Sequence, residues 1–216
     1  MNKIINKEQI KDLLFDGMTI LVGGFMTNGT PQSICDAVVE SGVKDLILVC
    51  NDGGYEESGI GKIIKNGQCK TLITSHIGLN PLVGQMMATN DIEVILTPQG
   101  TLAEQIRAGG SGLGGVLTPT GLGTLVAEGK EIINIDGKDF LLEKAIKGDL
   151  AICKSNQSDH VGNSTLLGTT INFNPIMALA GKITIVETDE LVDHINPNNV
   201  NIPGVVVNYV LEGGAK

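Results

Sequence analysis

Residues 18–31 read Met18-Thr19-Ile20-Leu21-Val22-Gly23-Gly24-Phe25-Met26-Thr27-Asn28-Gly29-Thr30-Pro31, an apolar strand that runs into a glycine-rich loop and closes on a proline suited to open a helix. Glycine has no Cβ and reaches positive φ without strain, so Gly23, Gly24 and Gly29 allow backbone amides to come close to whatever the loop faces. Such a loop, set between a strand and a helix N-terminus, suits a nucleotide or pyrophosphate. The dinucleotide fingerprint needs its third glycine at another spacing, and the phosphate loop of nucleotide hydrolases needs a closing Gly-Lys-Ser/Thr; neither occurs here.

Outward from this stretch the pattern alternates. Glu8 to Phe15 reads as a short amphipathic helix, Thr19 to Val22 as a buried strand, and Pro31 to Ser41 as a helix with proline at its first position and Gly42 past its end. Strands are expected at Leu46 to Cys50, Thr71 to Thr74 and Ile92 to Leu96, with helices at Ile60 to Lys65 and Pro81 to Thr89. This rhythm implies an α/β fold, an open and mostly parallel sheet with helices on both faces. After Ala108 the glycines at 109, 110, 112, 114 and 115 read as a flexible connection. Glu131 to Ile135, the Asp136-Gly137 turn and Phe140 to Glu143 then read as a β-hairpin, taken as a C-terminal region added to the sheet. Leu150 to Cys153, Ile183 to Val186 and Val205 to Tyr209 are the expected later strands, and Pro175 to Ala180 a helix. We take 1–216 as one domain.

Composition excludes several classes. The net charge of −9, with 15 basic and 24 acidic side chains and no basic cluster, argues against nucleic-acid binding. No apolar run approaches the roughly 18 residues of a membrane span, and the start of the chain carries no secretion signal, so a cytoplasmic protein is expected. Cys35, Cys50, Cys69 and Cys153 lack metal-ligand spacing and read as small buried hydrophobes; His76, His160 and His194 are scattered. No metal site is expected. The single arginine, Arg107, reads equally as a surface residue on a helix or as part of a functional motif.

Four segments carry chemistry. The first joins Asp16-Gly17, Ile20-Leu21-Val22, Gly23-Gly24-Phe25, Gly29 and Pro31. The second and third are Thr97-Pro98-Gln99-Gly100-Thr101 and Thr118-Pro119-Thr120-Gly121-Leu122-Gly123-Thr124. Phe173-Asn174-Pro175 is the fourth. Together, from about Asp16 to about Val207, they resemble the A (α) subunits of class I coenzyme A transferases.

The resemblance implies the fold of that family, shared with ribose-phosphate isomerases and sugar-responsive repressor domains. It also implies transfer of coenzyme A from an acyl thioester to a free carboxylate through a glutamyl-CoA thioester. In the family the nucleophilic glutamate lies in a Ser-Glu-Asn-Gly motif of the B (β) subunit. That tetrapeptide is absent here; Glu57-Ser58-Gly59 and Glu212-Gly213-Gly214 are the nearest approaches, and neither has the full pattern. A B subunit is therefore the expected partner, commonly in an A2B2 tetramer. Gln99 is the expected catalytic contact, at the oxyanion or the substrate carboxylate. Gly23, Gly24, Phe25, Met26, Thr27, Asn28 and Gly29 are the expected CoA-binding loop, touching CoA directly or lining the acyl pocket. Coenzyme A enters as substrate, with no permanently bound cofactor. Among substrates the resemblance points to acetate or butyrate with acetoacetate. A succinyl-CoA:3-oxoacid transferase subunit, or a non-catalytic protein of the same fold that binds CoA or a sugar phosphate, is the alternative.

Overall fold

A computed structural model describes residues 3–213. Twelve strands and six α-helices follow one another as β1 (Ile4–Ile5), α1 (Lys7–Lys11), β2 (Thr19–Val22), α2 (Gln32–Ser41), β3 (Leu46–Val49), α3 (Ile60–Lys65), β4 (Cys69–Thr74), α4 (Pro81–Ala88), β5 (Glu93–Leu96), α5 (Gln99–Gly110), β6 (Gly115–Thr118), β7 (Ile132–Ile135), β8 (Lys138–Lys144), β9 (Gly148–Asp159), β10 (Ser164–Thr165), α6 (Asn174–Ala180), β11 (Gly181–Val192) and β12 (Tyr209–Glu212). The main sheet runs β1-β12-β11-β9-β2-β3-β4-β5, every pairing on that path parallel, with β10 added antiparallel to β9. The order grows outward from β2 in both directions, so the loop after β2 sits at the switch point of the sheet, where open α/β folds place ligands.

Alternation of side chains across the strands builds two cores. Ile20 and Val22 of β2, with Leu150 and Ile152 of β9, face Ile34 and Val38 of α2 and Ile63 and Ile64 of α3. Leu21 and Ala151 point the other way, to Leu102 and Ile106 of α5 and Met177 of α6. Helices thus cover both faces, as the sequence implied. The expected hairpin forms as β7 and β8, and joins β6 in a separate antiparallel sheet in the middle of the chain. At the other extreme, β5 is the outer edge of the main sheet, with Ile95 and Leu96 exposed at 42% and 48%.

Several boundaries differ from expectation, each for a physical reason. Pro31 is the N-cap of α2, not its first residue, and the helix ends on Gly42 in the left-handed region. The glycines after Ala108 are not a free connection. Gly109 and Gly110 lie in the last turn of α5, where a Cβ would strike the Ile146 carbonyl or Leu179, and Gly115 opens β6. After Pro203 the chain makes a 3-10 turn at Gly204–Val206, with Val205 at 90% exposure, and the last strand starts only at Tyr209. Strands β9 and β11 continue well beyond their apolar runs because polar side chains pair across them. Lys154 lies between Glu187 and Asp189, and the Ser155, Ser158 and Ser164 hydroxyls form a chain.

Glu187 ties these features together. Its buried carboxylate accepts from the backbone N–H of Ser33 (2.8 Å) and Ile34 (3.1 Å) in the first turn of α2, and from Lys154 Nζ at 3.3 Å. Glu187→Ala leaves those donors without their partner and is expected to cost about 2–4 kcal/mol. Exposed Glu57→Ala should change stability by less than about 0.5 kcal/mol. Urea denaturation of the two variants checks the contrast.

Candidate active site

The C-terminal ends of β2, β3, β4 and β5 open onto one crevice, and successive βα loops build its walls. The loop after β2 makes a tight turn in which Phe25 and Asn28 exchange both backbone hydrogen bonds at 3.0 Å. Met26, inside that turn, has φ +55°, a left-handed conformation that costs a non-glycine residue about 1–2 kcal/mol. The loop after β3 repeats the device. Gly53-Gly54-Tyr55-Glu56-Glu57-Ser58-Gly59 matches Gly23-Gly24-Phe25-Met26-Thr27-Asn28-Gly29 in its glycines and aromatic, and the Ser58 N–H donates to the Tyr55 carbonyl at 3.0 Å.

Buried Asp52 holds the two loops together. One oxygen accepts from the strained Met26 N–H and from Asn51 Nδ2, both at 2.7 Å; the other accepts from the Gly54 N–H at 2.9 Å. Gln32 clamps the pair from outside, accepting from the Gly59 N–H and donating to Ser58 Oγ. From beneath, fully buried Asn174 donates to the Gly29 carbonyl at 2.9 Å and accepts from the Lys154 N–H at 2.9 Å. A Cβ on Gly23 would lie 1.8 Å from Asn174 Oδ1, so this glycine is required by packing within the chain. The Phe173-Asn174-Pro175 segment thus meets the first glycine loop directly.

Between the loops lies a cleft of about 390 Å³ with Phe25, Met26 and Leu79 on its apolar side and Asn51, Asp52, Ser75, His76 and Gln99 on its polar side. Gln99 donates Nε2 to Asn51 Oδ1 at 2.7 Å and is the first residue of α5. Among the described residues, the first-turn N–H groups of Gln99, Gly100 and Thr101 have no hydrogen-bond partner, and no acidic side chain stands in that turn. The positive end of the α5 dipole is therefore open at the cleft, whereas that of α2 is filled by Glu187. On the other side of the α5 start, Gly100 and Thr101 meet Thr118 and Thr120 across a second cleft of about 530 Å³, bringing the two threonine-proline segments together.

The remaining sequence candidates lie apart from the cleft. Glu57 is 77% exposed and ion-paired with Lys65, and Glu212 ends β12; Gly214, which follows it, lies outside the described residues. Arg107 is exposed and pairs with Glu104 one helical turn back, its surface reading. All four cysteines are buried, and desolvation raises every thiol pKa, that of Cys69 to about 12. No group of His, Cys, Asp and Glu suited to a metal occurs among the described residues, and none of their helices is long and apolar enough to cross a membrane. Asn51, Asp52, Ser75, His76 and Leu79 are the cleft residues that sequence reasoning missed. The internal repeat of the glycine-aromatic loop was the available signal for the first two.

This fold and loop set define a coenzyme A transferase: residues 4–213 match the coenzyme A transferase family model, and the chain belongs to that family. It is 47% identical over 211 residues, 97% of its length and 96% of the relative's, to the acetate CoA-transferase subunit alpha of Escherichia coli K12. It is 48% identical, over 98% of both chains, to the acetoacetyl-CoA:acetate/butyrate CoA transferase alpha subunit of Clostridium acetobutylicum. Among solved structures, an acyl-CoA transferase of E. coli O157:H7 in a thioester complex with CoA superposes with a TM-score of 0.88 at 21% identity, over 97% of this chain. This chain spans 47% of that protein's length.

Removing the Asp52 carboxylate should release the strained turn. Asp52→Ala is expected to cost about 2–4 kcal/mol, with amide exchange accelerating first at Met26 and Gly54, as hydrogen-exchange mass spectrometry would show. Burial and the raised thiol pKa values lead to a further expectation: at pH 8 the four cysteines stay thiols out of reach, so a disulfide reagent should label none of them until the chain is unfolded.

Proposed function

We propose that this chain is the A subunit of a cytoplasmic, heteromeric coenzyme A transferase, assembled as A2B2, that moves CoA between a short-chain acyl-CoA and a free short-chain carboxylic or 3-oxo acid. The observation that carries this reading is the imbalance of the cleft. It offers donors at Gln99 and the open start of α5, but its one carboxylate, Asp52, is buried and already accepts three hydrogen bonds. A nucleophilic carboxylate must then come from elsewhere, and the exposure of Phe25 and Leu79 at 42% each leaves the cleft open for a partner to complete. The names of the bacterial relatives as alpha subunits support the same division of labour.

In this mechanism a carboxylate oxygen of the partner's glutamate attacks the thioester carbonyl carbon, the C–S bond breaks, and CoA thiolate leaves. The thiolate then attacks the glutamyl carbonyl of the resulting anhydride and expels the acyl group as its free acid, leaving glutamyl-CoA. A second acid reverses both steps and departs as the new acyl-CoA. Gln99 donates its remaining N–H to the developing oxyanion or to the substrate carboxylate, oriented by its bond to Asn51, while the α5 N-terminus favours negative charge beside it. The loop from Gly23 to Gly29 forms the wall against which CoA and its acyl group lie.

The purified chain alone should give no transfer from acetyl-CoA to butyrate or acetoacetate, and addition of the B subunit should restore it. Gln99→Ala should lower kcat of the complex by about 10²-fold, and Glu57→Ala should leave it unchanged. Transfer by the isolated chain that vanishes in Glu57→Ala would overturn the assignment.

A further inference from the structure

Five polar side chains line the cleft, and the protein itself engages four of them, Gln99 only in part. Asn51 uses both ends of its amide, donating to Asp52 and accepting from Gln99. Asp52 accepts from three donors. Ser75 Oγ donates to the Asn51 carbonyl at 2.6 Å. Gln99 keeps one N–H and its Oε1. The imidazole of His76 has no hydrogen-bond partner on either nitrogen among the described residues.

The backbone around His76 is nonetheless fixed. Its carbonyl accepts from the Gly53 N–H at 2.8 Å, and the ring packs over Gly78, where a Cβ would lie 2.9 Å from Cε1 and 3.2 Å from Nε2. The exposed ring lies against Gly78 at the cleft wall, with both nitrogens open to solvent or to a molecule in the cleft. An imidazole offers at least one N–H donor in either neutral tautomer and two when protonated.

We infer that His76 is the residue that selects acids bearing a second oxygen at C3. Its N–H donates to the 3-oxo group of the acid or acyl thioester, while Gln99 holds the carboxyl end and Phe25, Met26 and Leu79 pack against the carbon chain. This rests on the transferase reading above and adds a division within the cleft. A plain aliphatic acid makes the Gln99 and apolar contacts only. Once the partner subunit covers the cleft, a 3-oxo acid placed against the same apolar side without a donor would bury a carbonyl oxygen unpaired, which binding sites discriminate against strongly.

The test uses the complex with its B subunit and compares transfer from acetyl-CoA to acetoacetate and to butyrate in wild type, His76→Phe and His76→Gln. His76→Phe keeps a planar ring over Gly78 but has no donor. It should lower kcat/KM for acetoacetate by about tenfold, with butyrate changed less than about twofold. His76→Gln, which restores an N–H, should recover part of the loss. The readout is the ratio of the two acids within one preparation, which a partly unfolded sample does not alter. A ratio unchanged in both variants, with transfer to butyrate intact or with both acids falling together, overturns the role of His76 and leaves the transferase reading standing. Absence of transfer from the wild-type complex to either acid overturns both.

Discussion

The site depends on one carboxylate that cannot react. Asp52 lies at the end of β3, where it binds the N–H of Met26 from the neighbouring loop and that of Gly54 from its own. Two βα loops, each closed by the same glycine-aromatic turn, are thereby fixed relative to one another, and the left-handed Met26 is held by a charge-assisted hydrogen bond. The same carboxylate fixes the Asn51 amide, and Asn51 in turn orients Gln99. An acidic side chain here acts as an acceptor that sets the direction of donors around the cleft.

A second division concerns the helix ends. An overall charge of −9 offers no general attraction to a polyanion, so local fields must do the selecting. At α2 the chain supplies its own anion, Glu187, and the helix start becomes a structural joint to β11. At α5 no side chain caps the first turn, and the helix opens with Gln99 in the cleft. In the glycine-rich loop Gly23 and Gly29 are required by the close approach of Asn174, whatever else the loop faces.

Much of this was legible in the sequence. The apolar runs of β2 to β5, the hairpin turn at Asp136-Gly137 and the glycine stop at Gly42 depend on local chemistry, and each forms close to where it is expected. The far halves of β9 and β11 do not, because their serines, Lys154 and Glu187 read as loop residues until the strands are side by side and the groups pair. Val205 to Val207 has strand-forming side chains, yet the turn after Pro203 decides its conformation. Within the site, Gln99 and the first loop carry recognisable spacing. Asn51 and Asp52 are flagged only by the repeat of that loop after β3, and His76 by no spacing at all, since it reaches the cleft only when β4 lies beside β3.

Strand β5 has a consequence of another kind. It ends the main sheet with an unpaired edge and exposed Ile95 and Leu96, the arrangement that invites a foreign strand to add on. Charged or proline residues usually blunt such an edge, and here Glu93 is the one charged residue within the strand. Such an edge carries backbone donors and acceptors that another strand can pair with, so the concentration of the chain, and not only its own stability, bears on how readily copies meet edge to edge.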